Sequence, residues 1–418
     1  MCRIGKHETV ADQRSRFYLP SGVKAVSLYV HNLGGNPLGR ALPIVEALKH
    51  LGCEVEVIGF MTGEDHDIYE PYRGEVEVKS VRTTLRPFDL FPKIRELGKA
   101  AEGDVIYAFK PLVTSFAPAY YAARIADHRP LLLDVEDEEV YGDQICGAYD
   151  AWRKLGRGWN LGISWKYTRL LQLLRRSVDA VTAVSTVLQR RYGGTLLRHG
   201  PDEDRFDPNR NFGSKSQLRK KWGLPEKKKL AVFIGTPRSH KGLDTLADAL
   251  SRPSLEEWAF VLVGPHENEF VTPLKEKVPE RSYFLGPQKY DHAPEFLHLA
   301  DAVPIPQKRT SFAEAQVPAK LLDAMAMARP IVASPIGDLP DILGHGERGW
   351  LVKPGDSRSL ARALSEIAER PEEARKRAQR ARSWYEQNAS TTAIVEALGG
   401  VLKDATGTWG SADRSTAQ

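Results

Sequence analysis

The sequence predicts an α/β protein made of two Rossmann-like, doubly wound parallel-sheet domains facing each other across a cleft. Three observations lead there. A chain of 418 residues is too long for one hydrophobic core, because single cores stop growing at roughly 250 to 300 residues. Two separate stretches alternate short β-branched runs with helical patterns, the beat of βαβ units on a parallel sheet. Between them lies GPDEDRFDPNRNFGSKS, so crowded with Gly, Pro, Asp, Asn and Ser that few stable elements survive.

In order along the chain, residues 1–20 form a polar leader expected to be disordered, and the first domain occupies 21–200. Its strand and helix runs are KAVSLYV, NPLGRALPIVEALKHLG, CEVEVIGF, VEVKSV, a helix around Ile94 to Ala101, GDVIYAF, a helix from Ser115 to Ala126, PLLLDV, a long helix ending near Arg176, VDAVTAVS and TLLRHG. The linker is 201–216. The second domain, 217–385, repeats the architecture with KLAVFIG, GLDTLADALS, WAFVLVG, RSYFLG, APEFLHLADAVPIP, PAKLLDAMAMA, RPIVAS, RGWLV and a helix from Ser357. A helix over 386–404 is expected, with a return to the first domain open to it, and 405–418 read as a disordered tail. Ligands of open α/β sheets bind outside the C-terminal ends of the strands. The active site is therefore expected between the domains.

Bulk composition narrows the function. Hydrophobic residues make up 42% of the chain and charged residues 27%, the balance of a globular protein. The net charge of +5, Lys+Arg 59 against Asp+Glu 54, suits an acidic small ligand or an anionic membrane surface and falls short of a nucleic-acid binder. Cys2, Cys53 and Cys146 show no CxxC spacing, so neither a disulfide framework nor a zinc site is expected. The start has no apolar stretch of signal-peptide length and no run of about 18 apolar residues occurs; a cytoplasmic protein is the expectation.

The segment KRTSFAEAQVPAKLLDAMAMARPIVASPIGDLPDILGHGERGWLV, residues 308–352, resembles the donor-binding segment of family-4 GT-B glycosyltransferases, here as an atypical member. The resemblance implies a retaining transferase that moves a sugar from a nucleotide diphosphate-sugar, its co-substrate, to an acceptor hydroxyl, with no further cofactor. Asp323, in the run Asp-Ala-Met-Ala, matches the second acidic position, whose implied role is to accept hydrogen bonds from the ribose hydroxyls. The first acidic position falls on Ala315, one residue after Glu314. Either Glu314 reaches the sugar through a shifted loop and serves in catalysis, or the first acid is absent. Gln316 and Val317 join the implied donor-contacting set. Pro318 stands where a helix should begin, so the free N–H groups of its first turn would face the diphosphate, and Lys320 adds charge there.

A second motif, GTPRSHKG from Gly235 to Gly242, follows a strand and precedes a helix. No GK[ST] follows, which excludes a Walker loop. The family carries an Arg and a Lys-Gly here; Lys241 matches, and Arg238 stands nearer to it than usual. Such cations stabilise charge growing on the departing phosphate. No DxD pair in suitable context appears, so no metal is expected.

In the first domain, His31-Asn32-Leu33-Gly34-Gly35 follows the first strand, and the resemblance implies that Gly34 or Gly35 touches the donor; a tight turn would equally want glycines. Where family members place a histidine after the fourth strand, this chain has Phe109 and then Lys110. Lys110 either faces phosphates or an anionic acceptor, or is solvated. His31, Asp134 and Asp137 are candidates for the acceptor side on the same terms. Between Ala151 and Arg176 stand seven Lys or Arg, three Trp and no acid; this stretch rests peripherally on an anionic membrane or packs a helix on the sheet. The acceptor is expected to be a carbohydrate or lipid-linked carbohydrate. The rival reading is a nucleotide-sugar-binding partner without catalysis. A dinucleotide oxidoreductase lacks its GxGxxG.

Overall fold

A computed structural model describes residues 20, 22–35, 37–62, 68, 73–74, 76–137 and 174–412. Residues 1–19 of the expected leader, the long helix before Arg176 with most of its Trp-rich stretch, and the tail beyond 412 lie outside these residues.

The first domain is a seven-stranded sheet in the order β3-β2-β1-β4-β5-β6-β7. Its strands are β1 (Ala25–Val30), β2 (Glu54–Thr62), β3 (Val78–Thr83), β4 (Val105–Phe109), β5 (Leu131–Val135), β6 (Ala180–Ala183) and β7 (Thr195–Leu196). Every pairing is parallel. Parallel strands are covered on both faces and read as continuous apolar runs, which is why VIYAF of β4 and LLLDV of β5 are buried throughout.

The second domain has β8 (Lys229–Ile234), β9 (Trp258–Val263) and β10 (Ser282–Phe284) in the order β10-β9-β8, and β11 (Val303–Ile305), β12 (Ile331–Ala333) and β13 (Trp350–Leu351) in the order β11-β12-β13. The halves join through a parallel bridge between Ala231 and Ala302. Each domain thus reverses strand order once, between β1 and β4 and between β8 and β11. The strand ends at those reversals face one another.

Among the described residues, several contacts join the domains. Behind the cleft, Asp338 accepts from the Thr186 backbone N–H at 2.9 Å and from Thr186 Oγ1 at 2.6 Å, and pairs with Arg198 at 3.1 Å. The chain also crosses back. The Pro371–Asn388 helix brings Tyr385 Oη to the Pro201 carbonyl at 2.5 Å, and the Thr391–Ala412 helix sets Ile394, Leu398 and Leu402 into the core around Leu48 and Val45. That helix starts at Thr391 and runs eight residues past the end expected at 404. Gly399 and Gly400 lower helix propensity, and burial of its apolar face overrides them.

Candidate functional site

The facing strand ends enclose a cavity of about 630 Å³. Its first-domain wall carries His31, Asn32, Gly35, Lys110, Glu136, Asp137 and His199, and its second-domain wall Gly235, Arg238, His240, Lys241, Gln316, Val317, Lys320 and Asp323. Gln288, Lys289 and Tyr290, after β10, close one end.

The second-domain wall starts where β8 ends. Gly242 adopts φ 69°, and a Cβ there would stand 1.9 Å from the Pro306 carbonyl oxygen, so only glycine lets the loop turn this close into the Leu243–Leu250 helix. The turn sets Arg238 and Lys241 on the cavity. Lys241 Nζ donates to Gln316 Oε1 at a long 3.4 Å. Burial, with Arg238 acting the same way and Asp137 opposing, lowers its ammonium to about 8. Lys320 lies in the first turn of the Ala319–Ala326 helix, whose N-cap Pro318 supplies no side-chain cap. Its Nζ is buried without a hydrogen-bond partner, 3.0 Å from the centre of the Phe233 ring. Burial, then repulsion from Lys241, holds it well below the usual lysine range. Burial also lifts the Asp323 carboxyl to about 7, against the pull of Lys320. A buried amine without a hydrogen-bond partner is costly, and an anion beside it would hold it charged and also meet the uncapped helix N–H groups.

On the opposite wall, Lys110 takes a left-handed backbone, φ 70°, the kind of strain that gathers at functional sites. Its ammonium pairs with Asp137 and lies 3.7 Å from Glu136. Asp137 accepts from Gln316 Nε2 at 2.5 Å. A chain of side chains, Lys110, Asp137, Gln316, Lys241, therefore spans the cleft. Burial works against the charge of Asp137, but Lys110 and the Gln316 bond keep its carboxyl low. Burial lifts Glu136 to about 7 even with Lys110 nearby. His31, hydrogen-bonded to Thr114, is pushed down to about 3 by burial and then Lys110, and His199 to about 3 by burial and then Arg40. Both imidazoles are neutral.

Four expected residues are not on the cavity. Asp134 is fully buried beneath it, where Arg40 clamps it with Nε at 3.0 Å and Nη2 at 2.7 Å while Thr182 Oγ1 donates at 2.6 Å; it fastens the Leu38–His50 helix to the sheet. Gly34 gives its N–H to Asn32 Oδ1 at 3.1 Å, leaving Gly35 to line the cavity. Ala315 is buried and its carbonyl accepts from Ser185 Oγ at 2.6 Å. Glu314 is 40% exposed and turned to Arg309, 2.6 Å away. The short Ser311–Ala315 helix points residue 314 outward and 315 at the first domain. The sequence reading missed Asn32, Glu136, His199, His240 and Tyr290. Glu136 carried a signal, as the acid between Asp134 and Asp137 in DVEDEE. Among the described residues no group of three or more His, Cys, Asp or Glu gathers to hold a metal ion.

Residues 214–384 match the glycosyl transferases group 1 family. The group 1 segment covers the whole second-domain wall. The chain is 29% identical over 186 residues to N-acetyl-alpha-D-glucosaminyl L-malate synthase of Bacillus anthracis, covering 43% of this chain and 47% of that one. It is 28% identical over 215 residues to the lipopolysaccharide core biosynthesis mannosyltransferase LpsB of Rhizobium meliloti, covering 48% and 58%. The chain thus spans about half the length of these curated relatives. Its fold is similar to that of the Anabaena protein HepE, solved in complex with UDP and glucose, with TM-score 0.69, 20% identity and coverage of 91% of this chain and 99% of that one. Relatives named as a synthase and a transferase do not favour the rival reading of an inert binding partner.

Proposed function

We propose that this group 1 protein is a glycosyltransferase that moves a sugar from a nucleotide diphosphate-sugar to an acceptor hydroxyl, with retention of configuration and without a metal ion. The observation that carries the reading is the convergence of Arg238, Lys241 and Lys320 on one cavity, two of them desolvated and one without a hydrogen-bond partner. The diphosphate sits against these cations and the first turn of the Ala319–Ala326 helix, and Asp323 accepts from the ribose hydroxyls. The bond from the anomeric carbon to the phosphate oxygen breaks and its electron pair leaves with the nucleotide diphosphate, where Arg238 and Lys241 offset the charge. The acceptor oxygen bonds to the anomeric carbon on the vacated face and its proton passes to the departing phosphate. These cations fill the part that a divalent metal plays in other transferases. Lys110, Glu136, Asp137 and His31 orient the acceptor, and closing the cleft keeps water from the donor. The acceptor is a carbohydrate of a glycolipid, polysaccharide or glycoconjugate, reached from the cytoplasmic side of a membrane.

Thermal unfolding with UDP, GDP, ADP and dTDP tests the reading. A ligand at 100 times its Kd adds about 2.7 kcal/mol, and one nucleotide should stand out; no shift with any of them contradicts it.

A further inference from the structure

The Pro87–Lys99 helix buries one stripe, Leu90, Ile94 and Leu97, against the first sheet and its neighbouring helix. That stripe suffices to hold it in place. The opposite stripe, at helical spacing, is Phe88, Phe91, Pro92, Arg95 and Lys99, all exposed. Phe88 is 91% exposed and Phe91 59%. Single exposed apolar residues are ordinary, but two phenylalanines at i and i+3 on the outer face of a helix anchored by other residues have no folding role.

The surrounding charge points to one kind of partner. Arg86, Arg95 and Lys99 are exposed around the pair, and Arg95 is steadied by a 3.1 Å bond from its Nε to Tyr121 Oη. Of the two acids on the helix, Asp89 is taken up by Lys93 at 2.5 Å, by Thr83 Oγ1 at 2.9 Å and by the Thr84 backbone N–H at 2.7 Å; Glu96 is exposed. Aromatic rings flanked by cations match a surface that is apolar beneath an anionic layer. The helix starts just after β3, at the C-terminal strand ends, the same side of the sheet whose β1 and β4 ends wall the cavity, with Leu85 held left-handed at φ 62° to make the turn.

We propose that Phe88 and Phe91 dock the first domain on an anionic lipid bilayer, with Arg86, Arg95 and Lys99 on the headgroups. Docked in this way, the cleft mouth lies beside the membrane and the carbohydrate of a lipid-linked acceptor reaches it. That last consequence rests on the transferase reading, whereas the docking does not.

Flotation of the full chain with vesicles of phosphatidylcholine, with and without phosphatidylglycerol, is the test, beside the double variant Phe88→Ser, Phe91→Ser and the charge variant Arg86→Glu. Wild type should float with the anionic vesicles, less so at high salt, and not with phosphatidylcholine alone. The double variant should lose at least tenfold of the bound fraction with its unfolding temperature unchanged, and Arg86→Glu should lose part. Wild type that does not float, or a double variant that floats as well as wild type, overturns the proposal. Nucleotide release from a donor sugar in vesicle-free solution checks the transferase reading separately, so either can fail without the other.

Discussion

Gln316 of the second domain and Asp137 of the first meet across the cleft, the Gln316 amide donating to the Asp137 carboxylate at 2.5 Å. The contact couples the wall that holds Lys110 to the wall that holds Lys241. It also places an anion beside the cations proposed for the diphosphate, and that anion opposes the burial of Lys241.

Lys241 stands at about 8 and Asp323 at about 7. Below the lower value Asp323 is protonated and loses strength as an acceptor; above the higher one Lys241 is neutral and must regain a proton to meet a diphosphate. Nucleotide diphosphate affinity should peak between the two and fall up to tenfold per unit above about 8. Asp137→Asn should move the alkaline limb to lower pH, since Asp137 is what raises Lys241 against burial. Calorimetric titration across pH, in buffers of different ionisation enthalpy, measures both the profile and the proton uptake. A flat profile would speak against Lys241 at the phosphates.

Lys320→Met should stabilise the ligand-free protein and weaken the liganded one. The buried Nζ has no hydrogen-bond partner, and an unsatisfied buried group costs about 1 to 3 kcal/mol. Thermal unfolding with and without the nucleotide chosen above should show a rise in the free variant and a smaller ligand-induced shift.

Glu314 and Asp323 separate by position. Glu314→Gln removes an exposed ion pair with Arg309, worth at most about 1 kcal/mol to stability, and turnover should change less than about twofold, within that energy. Asp323→Asn, on the cavity wall, should cut kcat/KM for the donor about tenfold or more, the loss of a hydrogen bond to a charged group. Equal effects from the two would place the sugar-contacting acid at Glu314 after all.

Much of the fold was legible because parallel strands buried on both faces leave apolar runs that need no partner to be read. The second-domain wall of the cavity was legible for a similar reason: Gly235, Arg238, Lys241, Lys320 and Asp323 lie close together in local motifs. The first-domain wall was not. Whether Asp134 or Asp137 reaches the cavity depends on Arg40, distant in sequence, which takes Asp134 out of play. His199 and Tyr290 reach it only through the packing of chain segments on either side of the linker. Glu314 stayed open between two readings because one residue of helical rotation decides between Arg309 and the cleft.

The Arg40 and Asp134 pair gives a prediction on folding alone. Both side chains are fully buried, and removing one partner of such a pair typically costs about 3 to 5 kcal/mol by leaving a bare charge. Arg40→Met should lower the first domain's stability by about that amount in chemical denaturation, and Arg40→Met with Asp134→Leu should recover most of it.

The most direct test of the central claim is release of nucleotide diphosphate from UDP-, GDP-, ADP- and dTDP-sugars by wild type and by Lys241→Ala. The account predicts release from one donor class, slow without an acceptor, and a loss of about 100-fold in the variant, the usual cost of removing a group that stabilises developing charge. Release from none of them, or an unchanged rate in Lys241→Ala, would contradict it.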